Sequence, residues 1–338
     1  MHFKAPDSCP GLFLHTFRLL QCVESSILKP DHGYKCGTVS GTICLSLNRR
    51  PGFPGCFVPD RKHGYRLEFM VTSIHMLLLA VVQAATEFLP ISSSGHLLFL
   101  KGLFGLEDIP IVFDVILHVG SLMAILFYFR REIAKTLTSC FAEMKTGQAE
   151  KPHTRFLIFA LISTLTTFLF YLCFKGPIAS GYATARVLPY TYTATTLILL
   201  STLLLRGRTP RSVSAAGWLL PLLVGLFQGM AIMPGVSRSG ATIGILLLLN
   251  IRREEAAYYS FFLAIPAILG AMVFEILEMD FRSYLLAEGF WLFIAFFVSA
   301  GFSYLFLRIL TLLIRKGNFW AFSIYTFGLA VAALIIFQ

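Results

Sequence analysis

Six times between Ile111 and Phe337 the chain returns to an apolar stretch close to the ~20 residues that an α-helix needs to cross the hydrocarbon of a bilayer. The stretches are Ile111–Phe129, Phe156–Phe174, Leu188–Leu205, Ala256–Ile276, Phe290–Leu307 and Phe319–Phe337. A chain crossing lipid must satisfy its backbone polar groups internally, and a helix does so within one segment. The pattern predicts an all-α polytopic membrane protein with about six transmembrane helices. Composition agrees, since charged residues make up 14% of the chain against roughly 25% in a soluble domain. The net charge of +10 could serve nucleic-acid binding, but such a domain is polar, whereas 56% of this chain is hydrophobic. No nucleic-acid partner is expected, and the positive charge points to a membrane bilayer.

Residues 1–69 are different in kind. They hold five of the seven Cys and six of the fifteen Pro, with no helical periodicity. Gly11–Val23 is apolar but carries His15 and Arg18 and lacks a cleavage site, so it does not read as a signal peptide. The Cys spacings match no zinc pattern, and five is an odd number for a disulfide framework. The expectation is an N-terminal extension over 1–69, disordered or not translated, with translation starting at Met70. The membrane domain then covers 70–338, in halves of about 74–205 and 218–338.

Two further apolar regions, Ile74–Leu100 and Trp218–Asn250, are broken at their centres by Pro, Gly and Ser. Such breaks are tolerated at membrane depth only where protein or water surrounds them, so both regions read as re-entrant helical hairpins. The segments carrying Arg130, Arg131, Lys135, Lys145, Lys151 and Arg155, then Arg206, Arg208 and Arg211, then Arg252 and Arg253, then Arg315 and Lys316 are the basic ones. Placing them on the cytoplasmic side puts the first hairpin on the outer face and the second on the inner face. That is an inverted-topology repeat. Independently, a shift of 145 positions lays Gln83, Ser92, Ser94 and Gly95 onto Gln228, Ser237, Ser239 and Gly240.

The hairpins also carry the chemistry. The first reads Gln83-Ala-Ala-Thr-Glu87-Phe-Leu-Pro90-Ile-Ser92-Ser93-Ser94-Gly95-His96. Gln83 and Glu87 share a helix face, Pro90 ends that helix, and Ser92 or Ser93 can cap the next one. Ionisable groups inside a span are costly and mark function. The second hairpin, Pro234-Gly235-Val236-Ser237-Arg238-Ser239-Gly240-Ala241-Thr242, has the parts of a phosphate cradle: a Gly-rich turn opening a helix, hydroxyls on each side and a guanidinium fork. Together they supply an acid/base pair, a candidate nucleophile and an anion-binding arginine, which is what a phosphoester or phosphoanhydride hydrolase requires. A lipid-phosphate transporter could use the same arginine and helix ends without a nucleophile. A structural scaffold would have no reason to bury Glu87, His96 and Arg238. Asp114, His118 and Glu275 are open to three readings, a tail of the site, a helix–helix hydrogen bond or an end-of-span residue, with the structural roles preferred; Cys140 and Cys173 read as ordinary thiols.

Gln83-x3-Glu87-Phe-Leu-Pro-Ile-Ser-Ser-Ser-Gly-His96, Pro234-Gly-x-Ser-Arg-Ser-Gly-Ala-Thr242 and Ser260-Phe-Phe-Leu-Ala-Ile-Pro266 resemble the bacterial undecaprenyl-diphosphate phosphatase family of the bacitracin-resistance type. The resemblance covers Met70 to Gln338. It implies release of the terminal phosphate from a polyprenyl diphosphate lipid at the outer face of the bacterial inner membrane, recycling the carrier for peptidoglycan synthesis. It further implies catalytic roles for Glu87, Ser93, His96 and Arg238, with Ser93 or His96 as nucleophile. Substrate contacts fall to Gln83, Ser92, Ser94, Ser237, Ser239 and Thr242. The family's divalent cation, Mg²⁺ or Ca²⁺, falls to Glu87. The first acidic position of the family motif, often Glu, is Gln83 here. Oligomeric state is left open, with a homodimer among the options.

Overall fold

The protein is described from a computed structural model, over residues 38–39, 42–43, 76–104, 111–146, 151–177, 185–204, 209–278 and 281–337. The chain divides into two units, Met1–Glu68 and Phe69–Gln338. In the first, the described residues form one short antiparallel pair, β1 (Thr38–Val39) and β2 (Thr42–Ile43), with Thr38 opposite Ile43. The other expectations for residues 1–69, and the start at Met70, lie outside the described residues.

The second unit is helical. Its first half runs α1 (Met76–Phe88), α2 (Ser93–Phe104), α3 (Ile111–Tyr128), α4 (Arg130–Thr146), α5 (Pro152–Pro177) and α6 (Leu188–Ser201). The second half runs α7 (Leu219–Met230), α8 (Arg238–Leu248), α9 (Arg253–Glu278), α10 (Phe281–Lys316) and α11 (Phe322–Phe337). Each half opens with two short apolar helices separated by a break, then continues into long helices. Five of these are long and apolar enough to span a membrane, at Pro152–Gly176, Ala185–Leu204, Arg253–Val273, Gly289–Lys316 and Phe319–Phe337. Helices α3 and α4 meet the same measure only as a pair, which bends by 67° at the break between them.

Helix α4 occupies most of the basic segment Arg130–Arg155. Six of its seventeen residues are charged, which keeps it out of the hydrocarbon. Its buried face, Thr136, Cys140 and Glu143, has helical spacing. Glu143 closes the connection to α5: its carboxylate accepts from the backbone N–H groups of His153 (3.1 Å) and Thr154 (2.8 Å), in the first turn of that helix. Burial opposes the charge, but these bonds, with those from the His153 ring and the Thr154 hydroxyl, prevail and hold the carboxyl at about 2.

The core gathers Phe88, Ile125, Phe159, Leu199, Val224, Ile243 and Phe261, drawn from both halves. Polar rungs tie the long helices: Ser121 to Ser303 (3.0 Å), Ser299 to the Leu117 carbonyl (2.7 Å), and Thr196 to Thr326 (2.8 Å). Each such bond contributes roughly 0.6 kcal/mol in a membrane protein. Outward, Leu161, Leu165, Phe293, Phe297, Ile324 and Phe327 are exposed, an apolar surface suited to lipid.

Candidate active site

The breaks in the two short-helix pairs meet. Ser92, at φ 68°, sits in the left-handed region that non-glycine residues seldom occupy. Its Oγ accepts from the Gly95 N–H (3.3 Å), capping α2, and from the Gly235 N–H of the other break (3.1 Å). Ser237 repeats the cap on α8 by accepting from the Gly240 N–H (3.1 Å). The approach is close enough to require glycine. A Cβ on Gly95 would lie 2.8 Å from Gly235 Cα, and one on Gly235, whose φ is 93°, would lie 2.1 Å from Thr191 Oγ1. Ser239 adds a stitch by donating to the Leu89 carbonyl (3.1 Å).

This junction brings four polar groups onto one buried carboxylate. Glu87 Oε1 accepts from Arg238 Nη2 (2.7 Å), and Oε2 accepts from the Ser93 hydroxyl (2.7 Å) and the Gln83 amide (3.0 Å). The fourth is His118, whose Nε2 lies 3.6 Å from Oε2. Low local dielectric strengthens such a network, and one guanidinium facing one carboxylate balances its charge. Arg238 Nη1 has no partner among the described residues, which leaves one prong of the fork for an incoming anion.

A cavity of about 580 Å³ opens on this cluster. Glu87, Ser92, Ser93, Ser94, Ser237 and Arg238 line it, so the first residues of α2 and α8 both face the same space. On the far walls stand Thr167, Phe168 and Tyr171 of α5 and Pro266, Ala271 and Met272 of α9, a largely apolar surface.

Four residues expected at the site do not line this cavity. Gln83 is fully buried behind Glu87. Thr242 bonds Ser260 and the Arg238 carbonyl, and Ser239 faces Leu89, so both stabilise the second break from within. His96 points the other way. Its Nδ1 faces the Ser92 carbonyl (2.7 Å), its Nε2 faces the Tyr325 hydroxyl (2.9 Å), and its ring stacks on Tyr325. Both ring nitrogens are therefore engaged away from Ser93. Conversely, Thr164, Thr167, Tyr171 and Gln228 line the cavity without having been expected there, and so does His118, for which a structural role was preferred. For Gln228 the signal was present, because it is the repeat mate of Gln83. For His118 it was the presence of an ionisable group inside a span. Glu275, read with them as structural, has its side chain outside the described residues.

The residues do not fit a resident divalent cation. Ca²⁺ and Mg²⁺ take six or more oxygen ligands, and among the described residues Glu87 is the one carboxylate on the cavity wall, with Arg238 on one oxygen and two donors on the other. Among the described residues no group of three or more His, Cys, Asp or Glu is placed to hold an ion.

Residues 76–332 match the family described as bacitracin resistance protein BacA. The chain belongs to that family. It is 34% identical over 269 residues to the undecaprenyl-diphosphatase of Carboxydothermus hydrogenoformans, covering 79% of this chain and 98% of the relative. It is similarly 32% identical to that of Methanobrevibacter smithii, over 78% of this chain and 96% of the relative. The undecaprenyl-diphosphatase of Desulfatibacillum aliphaticivorans is 34% identical over 78% of this chain and 98% of its own length. The BacA match spans both breaks, so the cluster around Glu87 lies wholly within the shared region.

Proposed function

We propose that the chain hydrolyses undecaprenyl diphosphate to undecaprenyl phosphate and inorganic phosphate, recycling the lipid carrier of peptidoglycan synthesis and so conferring resistance to bacitracin. The observation that carries this reading is the Ser93 hydroxyl donating to Glu87 while Arg238 holds the other carboxylate oxygen, all at the wall of one cavity. A hydroxyl on a carboxylate is a nucleophile beside its base. An arginine with a free prong is a phosphate clamp.

In this reading the terminal phosphate enters against Arg238 and the first turns of α2 and α8, and the prenyl chain leaves along the apolar walls of α5 and α9. Ser93 Oγ attacks the terminal phosphorus and its proton passes to Glu87. The bridging P–O bond breaks with its electrons on the departing undecaprenyl phosphate, whose oxygen takes up the proton held by Glu87 and so restores the carboxylate. Water then attacks the phosphoserine, Glu87 removes a water proton, Ser93 Oγ leaves and is reprotonated, and inorganic phosphate is released. Arg238 offsets the charge that builds on the phosphoryl oxygens at both steps. The activity belongs to 70–338, in the inner membrane of a bacterium, with the cavity open to the outer side.

Phosphate release by the purified protein in detergent tests the proposal. Wild type should release phosphate and Ser93→Ala should not. A wild-type protein that binds the lipid but releases none would leave the translocase reading in its place.

A further inference from the structure

His118, for which a structural role was preferred over a place at the edge of the site, sits at the catalytic cluster. Its Nδ1 lies 2.7 Å from the Asp114 carbonyl oxygen, which can only accept, so Nδ1 carries the hydrogen and Nε2 of the neutral ring is an acceptor. That acceptor lies 3.2 Å from Gln83 Nε2. The Gln83 amide has two hydrogens and two acceptors before it, His118 Nε2 on one side and Glu87 Oε2 on the other. The opposite orientation would set the amide oxygen against the carboxylate and leave the imidazole without a donor. Gln83 Oε1, turned away, has no partner among the described residues, and among these its orientation is set from the NH₂ side.

We propose that His118 is a positioning residue for the hydrolysis: by accepting from Gln83 it aims the second amide hydrogen at Glu87 Oε2, and so holds the carboxylate against the Ser93 hydroxyl. The chain of contacts runs from the Asp114 carbonyl through the imidazole and the amide to the carboxylate and the serine. Gln83 and His118 act as a matched pair. With a neutral amide at position 83, something must fix which end faces Glu87, and the imidazole does so. A carboxylate at position 83 would present acceptors to both Glu87 and His118, and neither bond would survive with the ring in its present tautomer.

The inference rests on the reading of Glu87 and Ser93 given above, and the test separates the two. Three variants are compared with wild type for kcat, KM and detergent melting temperature. His118→Gln places an acceptor oxygen near the position of Nε2. His118→Asn keeps a polar group but stops short of Gln83, and His118→Leu removes the acceptor altogether. The expected result is kcat lowered at least about 30-fold in the Asn and Leu variants, with KM within about threefold, and recovery to within about fivefold of wild type in the Gln variant. Asn guards against misfolding, because it fills the site without an apolar side chain beside Glu87. The inference is overturned if Gln is no better than Asn, or if Leu keeps kcat within about threefold. A wild-type protein that releases no phosphate would instead remove the reading on which it rests.

Discussion

Ser93 and Arg238 stand at the same position of the two repeats, 145 residues apart, each the first residue of its helix, and each bonds a different oxygen of Glu87. In the proposed mechanism one repeat contributes the nucleophile and the other the cation. The caps beneath them, Ser92 and Ser237, make the same side-chain bond, to the Gly95 and Gly240 N–H groups, but on different backbones, φ being 68° at Ser92 and −73° at Ser237.

Arg238→Ala should lower kcat at least about 100-fold, the scale of losing a transition-state clamp. It should also lower the melting temperature, because Glu87 would be left with one charge partner fewer, and breaking a buried pair costs about 3–5 kcal/mol. Arg238→Lys should restore most of the stability but stay at least about tenfold slow, since a point charge cannot bond carboxylate and phosphate in one plane. Turnover of the Ala variant within about threefold of wild type would remove Arg238 from the mechanism.

The placement of His96 separates the nucleophiles. A phosphorylated intermediate trapped with labelled substrate should be stable to acid and labile to base, as a phosphoserine is, and should vanish in Ser93→Ala. Tyr325→Phe removes the Nε2 partner of His96 and should cost about 0.5–1.5 kcal/mol of stability, the net worth of a hydrogen bond, while kcat stays within about fivefold. An acid-labile adduct that survives Ser93→Ala would return the role to His96.

Much of this was legible in the sequence. Hydropathy located the spans, and Pro, Gly and Ser located both breaks. The 145-residue shift matched Ser92 to Ser237, and in the structure both hydroxyls cap the helix that follows. What could not be read was direction. Ser93 and His96 are three apart on one helix and look like partners, yet the His96 ring is directed by Tyr325, 229 positions away. Glu87 and Ser93 meet across a break, where helical periodicity carries no information. His118 needed the packing of α3 against α1. Hydropathy saw only charge in α4, because its buried face is made of Thr, Cys and Glu.

The Glu143 cap makes a pH prediction outside the membrane. Its folded carboxyl is held at about 2, below the ordinary 4.5, so the unfolded state binds the proton more readily. The stabilisation is therefore fully present above the unfolded value and is lost as pH falls from 4.5 towards 2. Glu143→Gln should lower the melting temperature at neutral pH and flatten its fall between those values. An unchanged acid limb in the variant would mean that the α4–α5 connection is held by other bonds.

Substrate-free protein should bind Mn²⁺ no more tightly than about 1 mM by electron paramagnetic resonance, because one carboxylate already paired with Arg238 is a poor oxygen set for a hard cation. Glu87→Gln should leave that weak titration unchanged. Tight binding in wild type that is lost in Glu87→Gln would show that the cluster reorganises around an ion.

Gly235→Ala tests whether the contact between the breaks sustains the site. Alanine there meets two costs, a backbone at φ 93° and a Cβ 2.1 Å from Thr191 Oγ1, each worth about 1–3 kcal/mol. Adding Thr191→Ala removes the Oγ1 contact but keeps a Cβ 2.9 Å away, so it should recover part of the steric share and none of the backbone share. Gly176→Ala, where a Cβ meets nothing within 4 Å, is the control and should be mild. Activity should fall further than stability in Gly235→Ala, because pushing the second break outward carries Arg238 away from Glu87. If Gly235→Ala melts and turns over like Gly176→Ala, the two breaks do not depend on their contact, and the cluster on Glu87 must be held from the helices instead.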